Sequence, residues 1–122
     1  MKALIVDDSA ESRMLIGKIL SKEFSAEIIE ARNGEEAIKK ISSERPDIIF
    51  LDYEMPKMDG KETLEAIRSN RATWNIPVVI VTSHSEIELA KQLLQYKVSA
   101  YILKPISAEY LIKRVSIIYP KK

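Results

Sequence analysis

The sequence contains no cysteine and only one histidine in 122 residues. This removes disulfides, thiolate metal ligands and thiol nucleophiles, argues against a zinc or haem centre, and fits a reducing compartment. Glycine occurs three times, and neither Gly-x-Gly-x-x-Gly nor Gly-x-x-x-x-Gly-Lys-Ser/Thr is present, so a nucleotide-cradling loop is excluded. An excess of charge is missing too. Nineteen Lys and Arg stand against 18 Asp and Glu, for a formal net charge of +1, which gives no electrostatic argument for DNA, RNA or anionic lipid. The apolar run near the N-terminus, Ala3 to Val6, is far shorter than a signal-peptide core or a membrane span. These absences lead to the expectation of a soluble cytoplasmic protein with no direct nucleic-acid partner and no membrane insertion. Its length suits one domain with one core, residues 1–122.

Five short apolar runs are present, at Ala3 to Val6, Glu27 to Ile29, Asp47 to Leu51, Ile76 to Val81 and Ala100 to Leu103. Ile48-Ile49-Phe50-Leu51 and Val78-Val79-Ile80-Val81 lack any polar alternation, as expected of strands covered on both faces in a parallel sheet. Helical patterns lie between them. The first starts after Ser9 and puts Leu15, Ile16, Ile19 and Leu20 on one face; the second starts at Asn33, with Glu36 placed to close a capping box, and buries Ala37, Ile38 and Ile41. Asp59-Gly60-Lys61-Glu62 repeats the signal before Leu64 and Ile67, and Ser85-Glu86-Ile87-Glu88 repeats it before Leu89, Ala90, Leu93 and Leu94. Ser107 precedes Leu111, Ile112, Val115 and Ile118. Strand and helix therefore alternate five times, which predicts an α/β doubly wound sheet of five parallel strands, order 2-1-3-4-5, with helices on both faces.

In such a sheet ligands bind beyond the carboxyl ends of the strands. The first run is followed by Asp7-Asp8, the third by Asp52, the fourth by Thr82 and the fifth by Lys104-Pro105. Three carboxylates in one pocket repel and drift toward protonation unless a cation joins them. A hard divalent ion such as magnesium, held by one or two carboxylates together with a phosphate, suits this donor set.

At this point the sequence resembles the receiver domains of two-component response regulators over essentially its whole length. The matching stretches are Leu4-Ile5-Val6-Asp7-Asp8-Ser9, Ala31-Arg32-Asn33-Gly34-Glu35-Glu36-Ala37, Asp47-Ile48-Ile49-Phe50-Leu51-Asp52, Met55-Pro56-Lys57-Met58-Asp59-Gly60, Val81-Thr82-Ser83 and Tyr101-Ile102-Leu103-Lys104-Pro105. The resemblance implies a flavodoxin-like, chemotaxis-regulator-like fold. It also implies that Asp52 accepts a phosphoryl group from a sensor histidine kinase or phosphotransfer protein in a Mg2+-dependent reaction. Asp8, Asp52 and the backbone carbonyl of Glu54 would ligate the ion, with Asp7 acting partly through water. Lys104 would neutralise a phosphoryl oxygen, Thr82 would move its hydroxyl onto another, and Tyr101 would turn into the space vacated, switching the face of the fourth helix, fifth strand and fifth helix toward an unknown downstream protein. The Lys104–Pro105 bond is expected to be cis. Two positions that tune phosphoryl lifetime in the family are Glu54 and His84. Lys97 stands where members often have glycine, which opens the loop before the fifth strand to a different shape.

Each residue also has a plainer reading. Asp7-Asp8 can cap a helix, Asp52 can start a turn, Lys104 can form a surface ion pair, and Trp74 reads as packing. Two other functions compete with the phosphoacceptor. One is a small aspartate-based phosphatase of haloacid-dehalogenase type, faintly suggested by Asp52-Tyr53-Glu54, but that motif should come in the first strand and continue differently, and 122 residues leave no cap or substrate pocket. The other is a degenerate receiver that binds partners without phosphorylation, against which the intact Asp7, Asp8, Asp52, Thr82 and Lys104 argue. The expectation is a signalling phosphoacceptor rather than an enzyme. No output domain is expected in this chain, which reads either as a stand-alone regulator or as a piece of a longer one. Tyr110 and Ile117 are placed off the core face of the last helix, where they could support a phosphorylation-dependent homodimer.

Overall fold

A computed structural model of the chain describes residues 1–55, 58–83 and 87–120. Among these residues the chain alternates strand and helix throughout: β1 (Lys2–Val6), α1 (Ala10–Phe24), β2 (Glu27–Ala31), α2 (Gly34–Glu44), β3 (Ile48–Asp52), α3 (Gly60–Ser69), β4 (Val78–Thr82), α4 (Ile87–Leu94), β5 (Ala100–Leu103) and α5 (Ala108–Ile118). The strands form one sheet in the order β2-β1-β3-β4-β5, all pairs parallel. The doubly wound order expected from the sequence is thus observed. β3 and β4 each end one residue later than their apolar runs, so that Asp52 and Thr82 are their last residues.

The pleat sorts successive side chains onto opposite faces, and each face has its own core. Ala3, Ile5, Ile48, Phe50, Val79, Val81, Ala100 and Ile102 pack with Ile16, Ile19, Leu20, Leu111 and Val115 of α1 and α5. Leu4, Val6, Ile49, Leu51, Val78 and Ile80 pack with Ala37, Ile41, Leu64, Ile67 and Leu93 of α2, α3 and α4. Burial on both sides is why the central positions of β1, β3 and β4 are apolar throughout.

The helix starts follow the capping chemistry. The side chains of Ser9, Asn33, Asp59 and Ser107 accept from the N–H groups of Ser12, Glu36, Glu62 and Tyr110 respectively. The reciprocal box is complete on α3, but on α2 the Glu36 carboxylate accepts from the N–H of Arg32 instead of Asn33. The expected start of α4 at Ser85-Glu86 lies outside the described residues.

Two apolar residues assigned to buried faces are exposed, Leu15 on α1 and Leu94 on α4. Each lies at the edge of its helix's apolar stripe: the sheet is covered by Ile16, Ile19 and Leu20 on α1, and Leu93 is the one fully buried residue of α4. Trp74, expected to pack, is also exposed, with the Lys97 ammonium 6.0 Å from its ring centroid.

The loop before β5 is fixed from α3. Arg68 donates through Nε to the Tyr96 carbonyl at 2.6 Å, through Nη1 to those of Trp74 and Ile76 at 2.8 Å each, and through Nη2 to that of Lys97 at 3.3 Å. Lys97 itself takes the left-handed conformation, with φ 56°. The glycine-like bend is therefore kept and a lysine carries its strain. A Cβ in that region costs about 1 kcal/mol relative to glycine. Lys97→Gly should therefore raise unfolding free energy by about 0.5–1 kcal/mol in urea titrations; a loss of stability would mean that the Trp74 contact outweighs the strain.

Candidate functional site

The pleat that builds the two cores also assembles the rim of the sheet. The row Ala3, Ile5 continues to Asp7, the row Ile48, Phe50 to Asp52, and the row Ala100, Ile102 to Lys104. These three side chains therefore emerge on the same face. Asp7 is 1 % exposed and Asp52 6 %. Lys104 Nζ lies between them, donating to Asp7 Oδ2 at 2.8 Å and to Asp52 Oδ2 at 3.3 Å. Asp7 is held further by the Ser9 N–H, which donates to its Oδ1 at 2.8 Å, and Asp52 by the Glu54 N–H, which donates to its Oδ1 at 3.3 Å. Asp8 is exposed beside them, and Asp7, Asp8 and Asp52 each place a carboxylate oxygen within 4.8 Å of the other two.

Thr82 belongs to the other row. It follows Val78 and Ile80, is fully buried, and pairs with Leu103 in the sheet, its carbonyl accepting from the Lys104 N–H at 2.8 Å. Tyr101 lies on that same side, partly buried against the α2–α4 core. With Ile87, Ala90, Lys91, Leu94, Val98 and Leu103 it lines an open groove between α4 and β5. The Lys104–Pro105 peptide bond is cis. His84 lies outside the described residues.

The residues at the end of β3 lie close against the start of α3. The Gly60 N–H donates to the Tyr53 carbonyl at 2.9 Å, and a Cβ at Gly60 would stand 2.6 Å from Tyr53 Cα and 2.8 Å from the Asp52 carbonyl oxygen. Only glycine permits this approach. Beside this contact lies a depression of about 470 Å³ lined by Asp8, Tyr53, Glu54, Met55 and Asp59.

Electrostatics set the site's character. Burial, and next the charge of Asp7, push the Asp52 carboxyl from 3.8 up to about 6, against the opposing effects of Lys104 and the Glu54 N–H. Burial disfavours the Lys104 ammonium as well, but its hydrogen bond to Asp7 and the charges of Asp52 and Asp7 outweigh this and leave its pKa above the ordinary lysine value. Three carboxylates against one ammonium leave two negative charges uncompensated when all are ionised.

The residues fit a magnesium ion. All the donors are oxygens, the residual charge matches a divalent cation, and the spacing is close. The three carboxylates offer oxygens within 4.8 Å of one another, a spacing that one ion with its retained waters can bridge.

The chain matches the response regulator receiver domain over residues 3–116. It belongs to that family. Among similar proteins, this receiver is 38 % identical over 112 residues to hybrid signal transduction histidine kinase D of Dictyostelium discoideum, covering 92 % of this chain and 7 % of that protein. It is 47 % identical over 87 residues to a protein-glutamate methylesterase/protein-glutamine glutaminase of Bacillus subtilis (strain 168), covering 70 % of this chain and 24 % of that one. The receiver thus spans a small part of the length of these relatives. The solved structure of the Vibrio cholerae chemotaxis protein CheY4 superposes with TM-score 0.89 at 28 % identity, covering 96 % of this chain and 97 % of the other. Among the described residues no helix is long and apolar enough to cross a membrane.

The structure brings Asp7, Asp8, Asp52 and Lys104 together, with Glu54 at the edge of the same depression. Tyr110 and Ile117 are exposed on α5, as placed from the sequence. Arg13 joins the site without a motif to mark it: it donates through Nη1 to the Asp7 carbonyl at 2.7 Å. Its only signal in the sequence is a lone arginine six residues after Asp7, on the helix that follows.

A carboxylate whose folded pKa is raised binds its proton more tightly in the folded state. Stability therefore falls as pH rises from about 4 to about 6, and the penalty is fully present above the folded value. In chelator-treated protein, Asp52→Asn should be about 1–2 kcal/mol more stable than wild type near pH 7.5, the gain vanishing near pH 4. Paired urea titrations at the two pH values check this, and equal stability near pH 7.5 would contradict the strained carboxylate.

Proposed function

We propose that this receiver accepts a phosphoryl group on Asp52 from a phosphohistidine of a sensor kinase or phosphotransfer protein, in a magnesium-dependent reaction. The single observation that carries this reading is the buried, destabilised Asp52 carboxylate, clustered with two other carboxylates and touched by Lys104. An Asp52 oxygen attacks phosphorus as the phosphorus–nitrogen bond breaks, and the departing imidazole takes up a proton from solvent. The product is an acyl phosphate, a labile bond suited to a signal that must reset.

Asp8, Asp52 and the Glu54 carbonyl would hold the magnesium ion, with Asp7 supporting it. When bound, the ion supplies positive charge against the phosphoryl oxygens and the carboxylates. Lys104 exchanges its Asp52 contact for a phosphoryl oxygen while Asp7 keeps its ammonium oriented, so a preformed cation meets the charge of the transition state. Thr82 supplies its hydroxyl to another phosphoryl oxygen. Tyr101, on the same face as Thr82, then turns inward and reshapes the α4–β5–α5 surface. Phosphorylation shifts this equilibrium only as far as it binds one arrangement better than the other.

The chemistry is signalling rather than turnover of a small substrate. Asp52 ends the third strand, whereas a phosphatase of haloacid-dehalogenase type would carry its nucleophile on the first. We place the protein in the cytoplasm, where its phosphodonors reside, acting on a downstream protein partner, with a homodimer through Tyr110 and Ile117 as one form of output.

Intact-protein mass after incubation with acetyl phosphate tests the reading. One phosphoryl adduct is expected with magnesium, about tenfold less with chelator, and none on Asp52→Asn. Folded wild-type protein that takes up no phosphoryl group from several donors would instead favour a phosphorylation-independent binding module.

A further inference from the structure

The acid cluster is supported by a side chain that contributes no ligand to it. Arg13, on α1, is largely buried, with 13 % of its side chain exposed. Its Nη1 donates to the main-chain carbonyl of Asp7 at 2.7 Å, and its Nε donates to Glu30 Oε1, near the end of β2, at 2.9 Å. The peptide that follows Asp7 is thus gripped through its carbonyl oxygen, while the N–H of Asp7 is held by the Ala31 carbonyl at 3.0 Å. That same peptide carries the N–H of Asp8. The Asp8 carboxylate is exposed and bonds no protein group among the described residues. Its direction is therefore set by its backbone, and the backbone is set by Arg13.

We infer that Arg13, braced by Glu30, is a positioning residue that fixes the Asp7–Asp8 peptide and so aims the Asp8 carboxylate at Asp52. The guanidinium suits this task because its planar fork holds two acceptors in fixed directions at once, which a lysine ammonium does not do. Groups that orient a metal ligand from outside the coordination sphere commonly change metal affinity about tenfold or more when removed. The inference rests on the reading of Asp8 as a magnesium ligand.

Calorimetric titration with magnesium chloride, alongside urea unfolding, separates positioning from mere stabilisation. Arg13→Ala is expected to weaken magnesium binding about tenfold, Arg13→Lys to recover part of the loss, and Glu30→Gln to weaken it about threefold. Ile67→Val, in the core on the opposite face of the sheet, supplies a destabilised control whose magnesium affinity is expected to stay at the wild-type value. Arg13→Ala with wild-type affinity overturns the inference, as does an equal loss in Ile67→Val. Wild-type protein that binds no magnesium overturns the phosphoacceptor reading, and the positioning role with it. Should Arg13→Ala fail to fold, Arg13→Lys and Glu30→Gln decide by the same criterion.

Discussion

The repulsion among Asp7, Asp8 and Asp52, only partly offset by Lys104, is the constraint around which the rim of this molecule is organised. A buried carboxylate loses its hydration, and one whose nearest neighbours include another carboxylate gains little in return. The ammonium of Lys104 bridges two of the three acids and leaves two negative charges over. A site of this kind costs stability when empty, and the rest of the fold must hold it in place. Parallel strands buried on both faces do so. Their ends cannot move without disturbing two cores at once, and interiors packed at crystal-like density do not deform continuously.

The pleat also divides the labour of the site. Asp7, Asp52 and Lys104 extend the rows that face α1 and α5, whereas Thr82 and Tyr101 lie on the rows that face α2, α3 and α4. Chemistry collects on one side of the sheet and the proposed switch on the other. The link between them is short, because Asp52 pairs with Val81 and Thr82 with Leu103 in adjacent ladders. Under the proposed function, occupation of Asp52 would reach Thr82 through these neighbouring main-chain groups. Arg68 ties the loop after α4, through the carbonyls of Tyr96 and Lys97, to the segment before β4, through those of Trp74 and Ile76, so the C-terminal end of α4 is the anchored one.

The architecture was legible in the sequence because strands buried on both faces must be apolar at every position, as Ile48 to Leu51 and Val78 to Val81 are. The helix starts were legible because a cap needs an oxygen at a fixed distance from an N–H, and Ser9, Asn33, Asp59 and Ser107 announce it. The acid cluster followed from knowing where such sheets place their strand ends. What escaped was interaction with the backbone. Arg13 and Arg68 carry no motif, yet each donates to main-chain carbonyls whose positions no sequence pattern specifies, Arg13 to that of Asp7 and Arg68 to four. Leu15 and Leu94 satisfied a periodicity whose width depends on how each helix is tilted against its neighbours. Lys97 was noticed as a departure, but its left-handed backbone is imposed by the surrounding loop rather than by the residue.

The most direct test of the account is a crystal structure of the protein grown with magnesium and beryllium fluoride, whose trifluoride adduct on a carboxylate mimics an acyl phosphate. The account predicts the adduct on Asp52, a metal ion bound to Asp8 and Asp52, and both Lys104 and the Thr82 hydroxyl in contact with fluorine. A structure in which fold and crystallisation conditions are sound, yet Asp52 carries no adduct and Lys104 still bridges Asp7 and Asp52, would contradict it.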